Sequence, residues 1–201
     1  MSLLSSLASV NLPSESEAAQ RKAHVTYDVL AGGEDTYITL LESRYVISEA
    51  GTTGLRTWEA ALHLGAYLTS SATPGLIKEK RVLELGAGTG FLSVLCARYL
   101  GAAQVTATDG DQGVVQAIED NIFLNELEGK QVIRTGILRW GRTLIGSMFE
   151  EEIQEKPYDM VIGADIVSLA HLCISSCEEL RSMSTVEILL MNANNDHVDI
   201  R

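Results

Sequence analysis

Aromatic residues are scarce in this chain of 201 residues, with Phe, Trp and Tyr together making up 5%. A core with so few rings has to be filled by Ala, Val, Ile and Leu. These are plentiful, and 46% apolar content supplies one sizeable core. Positive charge is also short: 15 Lys and Arg face 27 Asp and Glu, for a net charge of −12. Such a surface repels phosphate backbones, which makes nucleic acid a poor expected partner; it suits a basic protein surface, though acidity for solubility alone is the plainer reading. The three cysteines (Cys96, Cys173 and Cys177) form no C-x-x-C pair. They are read as small buried thiols in a reducing compartment, not as a disulfide framework or a metal site. The opening MSLLSSLASV has neither a basic leader nor a long apolar run, so the expectation is a cytosolic protein without signal peptide or membrane span. H-E-x-x-H, P-loop and Ser-His-Asp patterns are missing as well, and no metal cofactor is expected. His63 and His171 fall in helical patterns and are read as packing or surface residues.

The sequence divides into an N-terminal extension, 1–36, and one domain, 37–201. The stretch YITLLESRYVIS (37–48) predicts a strand or hairpin ahead of the main fold. After the turn GTTG (51–54), apolar residues at Leu55, Trp58, Leu62, Gly65 and Leu68 keep helical spacing. From there strands and helices alternate. Strands are predicted at 81–85 (RVLEL), 104–108 (QVTAT), 131–135, 159–162 and 186–191 (VEILLM), with helices at 91–100, 111–125 and 169–180. Strands separated by single helices make right-handed βαβ crossovers. The fold class is therefore α/β, a doubly wound parallel sheet with flanking helices. No strands are evident after the fifth, where the fold often carries two more.

In such a sheet, ligands bind beyond the carboxyl ends of the strands where the strand order reverses. The sequence there is Glu84-Leu85-Gly86-Ala87-Gly88-Thr89-Gly90. A dinucleotide fingerprint, G-x-G-x-x-G/A, would put its third small residue at position 91. Phe91 stands there instead, too large for the close helix–strand approach that the fingerprint needs. The spacing is E-x-G-x-G-x-G, leading straight out of an apolar strand. Asp109 ends the next strand, where a carboxylate can accept both hydroxyls of a ribose. A strand-end Asp also serves as a helix cap, a role for which Asp111 is placed.

Six segments then occur in order: GTTGLRTWEAALHLGAYL (51–68), VLELGAGTG (82–90), TDGD (108–111), NIFLN (121–125), LRWG (138–141) and DMVIGADI (159–166). Together they resemble the class I S-adenosylmethionine-dependent methyltransferases, and among these the protein-lysine methyltransferases called methyltransferase family 16. GTTGLRTW is most similar to the branch acting on translation elongation factor 2. The resemblance implies S-adenosylmethionine as cofactor, a Rossmann-like fold and a protein substrate. Position by position it implies Trp58 lining the cofactor pocket and Gly86, Ala87 and Gly88 against the methionine part. Asp109 would hold the ribose, Trp140 flank the adenine, and Ala164 touch the cofactor from the fourth strand. An indole gives a purine a flat apolar wall, although Trp58 also fits as a core residue of an amphipathic helix.

The reaction so implied transfers methyl from a sulfonium to a neutral lysine amine. On the order of one lysine in a thousand is neutral at pH 7, so the amine must enter a partly dehydrated pocket and be aimed within roughly 3–3.5 Å of the methyl. Asp165, at the carboxyl end of the fourth strand, is the candidate catalytic residue, as a group that positions the amine; a loop or capping carboxylate is the plainer reading. Two positions depart from the family. Ser168 stands where an aromatic follows the Asp, and Arg139 precedes Trp140 where Asp is common. The Ser168 departure, with the absence of evident strands after the fifth, leaves open a second function, a cofactor-binding but catalytically impaired or truncated interaction module.

Overall fold

Among the described residues, the alternation of apolar strands and helices produces one sheet of six strands plus a separate two-stranded hairpin. The computed structural model describes residues 22–30, 36–43, 53–139, 155–165, 187–191 and 197–200, the last without side chains. The hairpin pairs β1 (Lys22–Asp28) antiparallel with β2 (Tyr37–Ser43). Strand β1 falls within the segment read as an N-terminal extension, and β2 matches the predicted strand as far as Ser43; positions 44–48 lie outside the described residues.

The main sheet runs β5-β4-β3-β6-β7-β8. Its strands are β3 (Arg81–Leu85), β4 (Gln104–Asp109), β5 (Ile133–Ile137), β6 (Met160–Ala164), β7 (Glu187–Met191) and β8 (His197–Ile200). The first five are parallel. The chain steps outward from β3 to β5, returns to place β6 against the other side of β3, and continues away to β7. The order therefore reverses between β3 and β6, the place where α/β sheets open a crevice.

Two differences from the expected elements have local causes. The third strand begins at Ile133 and not at Gln131, because Gln131 takes φ +52, a left-handed conformation that no strand residue adopts. The sheet also continues past the fifth strand: β8 pairs antiparallel with β7, Met191 opposite His197 and Ile188 opposite Ile200. Four residues of alternating pattern, HVDI, are too short to be recognised without the partner strand that sets their register.

Helix α1 (Glu59–Leu68), helix α2 (Phe91–Arg98) and helix α3 (Gln112–Leu124) complete the described elements. The expected helix at 169–180 lies outside them. Leu55 and Trp58 precede α1 and do not belong to it: Trp58 is its extended N-cap residue. Gly65 lets α1 approach α2 closely, since a Cβ there would sit 2.8 Å from the Phe91 ring. Helix α2 is buried on nearly every side from Phe91 to Cys96, which no one-sided helical pattern predicts. The hairpin covers its outer face, with Tyr27 edge-on to Phe91 at a centroid distance of 5.3 Å. No helix among the described residues is long and apolar enough to cross a membrane.

Candidate cofactor and catalytic site

The glycine turn leaves β3 with Gly86, Gly88 and Gly90 all at positive φ, +65, +55 and +81. A side chain at Gly88 would be strained and would bring its Cβ to 3.2 Å from the Gly54 carbonyl oxygen. At Gly90, the N-cap of α2, it would meet Ile118 at 3.0 Å. The GTTG segment thus packs directly on the turn, which is why these two motifs, far apart in sequence, act as one surface. The Ala87 amide donates to the Thr108 carbonyl at 2.8 Å, tying the turn to the end of β4.

Asp109 faces this turn. Its Oδ2 accepts from the Gly88 amide at 3.2 Å and its Oδ1 from the Asp111 amide at 3.1 Å. A carboxylate has about four acceptor positions, so acceptor capacity is left for a further donor. Burial pushes the Asp109 carboxyl above the ordinary carboxylate range, opposed by the amides of Asp111, Gly88 and Gly110. No ion pair to Asp109 occurs among the described residues. The helix-capping role falls to Asp111, whose side chain accepts from the Val114 amide at 3.0 Å. Asp109 is thereby left as a half-buried acceptor at a crevice, a group suited to vicinal hydroxyls and unsuited to a pyrophosphate.

Glu84, beneath the turn, is buried, and burial pushes its carboxyl up to about 8. The Ser93 hydroxyl donates to it. Phe91 occupies the position where a dinucleotide fold needs a small residue, and is itself buried against α1 and Tyr27. The Asp109 carboxylate at the mouth of the turn disfavours a diphosphate, and Phe91 stands where the dinucleotide fingerprint needs a small residue for helix–strand packing.

On the other side of the reversal, Leu85 pairs in register with Gly163, which sets Ala164 level with Gly86. Asp165 follows with φ +56, a left-handed conformation uncommon outside glycine that Asp tolerates, and its amide donates to the Met191 carbonyl at 2.8 Å. Gly86, Ala87, Gly88, Asp109, Ala164 and Asp165 therefore share one rim. Trp58 reaches it through its neighbour Thr57, whose hydroxyl lies 2.6 Å from that of Thr89 in the turn, while the indole donates to the Thr53 carbonyl at 3.2 Å. Trp140 and Ser168 lie outside the described residues. The chain leading to Trp140 runs beside Asp109: Leu138 donates its amide to the Asp109 carbonyl at 2.9 Å, and Arg139 its Nε to the Gly110 carbonyl at 3.2 Å. Thr57, Thr89, Glu42 and Asn121 form a hydrogen-bonded support beside the turn that sequence reasoning missed; the one available signal was Asn121 and Asn125 spaced four apart in the NIFLN segment. No group of three potential metal ligands occurs among the described residues.

Residues 18–198 match the profile of a family described as lysine methyltransferase. The chain belongs to this family. It is 50% identical over 186 residues to protein-lysine N-methyltransferase EFM3 of Chaetomium thermophilum, covering 90% of this chain and 55% of that protein. It is 28% identical over 168 residues to human protein-lysine N-methyltransferase EEF2KMT, covering 81% of this chain and 49% of that protein. The chain thus spans about half the length of the relatives it matches. Its fold is that of a SAM-dependent methyltransferase from Agrobacterium tumefaciens, with a TM-score of 0.51 at 16% identity, covering 85% of this chain and 52% of the other. S-adenosylmethionine is the cofactor of this lysine methyltransferase fold, and the residues present fit it: Asp109 has acceptor capacity left beside a glycine turn that a ligand can approach closely.

Proposed function

We propose that this chain carries the cofactor-binding and catalytic face of a protein-lysine N-methyltransferase whose substrate is translation elongation factor 2. The observation that supports it most is the shared rim at the strand reversal, where the Gly88 amide meets Asp109 and Asp165 follows β6 in a left-handed turn. S-adenosylmethionine supplies, when bound, a methyl group on a sulfonium. Asp109 accepts the ribose hydroxyls, the turn from Gly86 to Gly88 lies along the methionine part, and Ala164 contacts the cofactor from β6. Trp58 and Trp140 wall its apolar surfaces. Asp165 recruits the lysine and aims its nitrogen; a carboxylate beside an amine favours the charged form, so its role is orientation and not strong-base catalysis. The resemblance of GTTGLRTW and the similarity to EEF2KMT support elongation factor 2 as substrate. The free, buried thiol of Cys96 supports a cytosolic setting.

Calorimetric titration with S-adenosylmethionine, followed by incubation of labelled cofactor with unmethylated elongation factor 2, tests this reading. Binding with label on a lysine is the expected result. Binding without transfer would overturn the enzymatic role and select a cofactor-binding interaction module.

A further inference from the structure

The two-stranded hairpin stands apart from the main sheet, yet two adjacent residues of β2 reach the same point of the glycine turn. The Leu41 amide donates to Asn121 Oδ1 at 2.7 Å, and Asn121 Nδ2 donates to the Thr89 carbonyl at 2.9 Å. Next to Leu41, the Glu42 carboxylate accepts three hydrogen bonds. These come from the Tyr27 hydroxyl at 3.0 Å, the Thr57 hydroxyl at 2.7 Å and the Thr57 amide at 3.3 Å. The Thr57 and Thr89 hydroxyls are 2.6 Å apart. A hydroxyl has one proton, and that of Thr57 is committed to Glu42, so Thr89 must donate to Thr57. The chain of donors therefore runs one way, from Thr89 through Thr57 to Glu42.

Glu42, Thr57 and Thr89 are 4%, 7% and 3% exposed, so water cannot substitute for a missing partner. Within the hairpin, whose backbone ladder already holds it, Glu42 takes one hydrogen bond, from Tyr27; its other two come from Thr57. What the acid fixes is Thr57, the residue before Trp58, and through it the side chain of Thr89 between Gly88 and Gly90. The Ser43 amide, donating to the Leu55 carbonyl at 2.7 Å, holds the same segment from one residue further along β2.

We propose that Glu42 is a positioning residue for the cofactor, which through the Thr57–Thr89 hydroxyl pair sets the glycine turn and Trp58 in their binding geometry. This rests on the cofactor reading given above. The hairpin is then part of the binding machinery without touching the ligand: it pre-organises a turn whose three left-handed glycines would otherwise sample many conformations.

Thr57→Val removes the hydroxyl at nearly constant shape, and Thr57→Ser keeps it. With the full chain, S-adenosylmethionine affinity by calorimetry, cofactor KM and kcat, and thermal melting are compared for both. Thr57→Val is expected to raise the cofactor Kd and KM about tenfold, with kcat at saturating cofactor within about twofold. Thr57→Ser stays within about twofold of the unaltered protein. Glu42→Gln turns an amide NH2 toward the Thr57 amide and weakens binding in the same sense. Tyr158→Phe is the stability control: its hydroxyl donates to Thr106 at 3.0 Å, buried and away from the turn. It lowers the melting temperature without moving the cofactor Kd. Unchanged affinity in Thr57→Val, or a loss no greater than in Tyr158→Phe, would overturn the positioning role alone. Absence of binding by the unaltered chain would instead overturn the cofactor reading, and this inference with it.

Discussion

Asp109 and Glu84 are two carboxyls raised by burial, but they do different work because their partners differ. Asp109 meets backbone amides and keeps acceptor positions open toward the crevice. On the ribose-binding role proposed for it, replacing it by Ala removes both acceptor oxygens, and the cofactor Kd is expected to rise about a hundredfold, checked by calorimetry. Glu84 has no opening to solvent and is held by Ser93. Its folded-state pKa of about 8 lies above the ordinary 4.5, so folding favours the protonated form. That contribution is complete below about pH 4.5 and is lost as the pH rises toward 8; over this window it amounts to a few kcal/mol, on the order of 1.4 kcal/mol per unit. Glu84→Gln cannot ionise. Its melting temperature should vary less between pH 5 and 8 (about the titration window) than that of the unaltered protein, which should fall. Parallel melting profiles would show that Glu84 is not the titrating group.

Among elements, the hairpin is attached by side chains acting as a strand. Asn125 accepts from the Thr39 amide at 3.1 Å and donates to the Thr39 carbonyl at 2.7 Å, imitating the paired bonds of a ladder. One helical turn earlier on α3, Asn121 accepts from the Leu41 amide at 2.7 Å and spends its own amide hydrogens on the Thr89 carbonyl at 2.9 Å. This covers the edge of β2 that no strand covers among the described residues. Asn125→Ala leaves both Thr39 backbone groups without their Asn125 partner in a part-buried place. A loss of about 2–3 kcal/mol in urea unfolding is expected, with faster hydrogen exchange at the Thr39 amide. Exchange at β3 and β4 amides should follow the global loss only, because those strands do not depend on the hairpin's edge.

Across the whole molecule, the net charge of −12 bears on the encounter with a protein substrate more than on the cofactor. Long-range attraction to a basic surface is screened by salt, whereas contacts inside the crevice are not. The kcat/KM for the protein substrate is expected to fall several-fold between about 50 and 300 mM salt, while the cofactor Kd changes by less than about twofold. Equal sensitivity of the two would assign the acidic surface to solubility alone.

Spacing along the chain determined the parallel α/β core, the strand–glycine turn–helix unit, the carboxylate at the end of β4 and the cap at Asp111. Each of these is written within a few residues, where backbone geometry and side-chain period act directly. RVLEL reads as a short apolar strand, and the structure buries four of its five residues; Phe91 argues against a dinucleotide from its position alone. What lay beyond the sequence depends on contacts between distant positions. The left-handed backbone at Asp165, the pairing of β8 and the burial of Glu84 appear only once neighbouring strands and helices set register and remove water. The relay from Thr89 to Glu42 crosses separations of 32 and 15 residues, and the Asn121 bond to Leu41 one of 80. No local pattern encodes a hydrogen bond whose partners meet only after the hairpin docks, so tertiary structure alone decided how the turn is held.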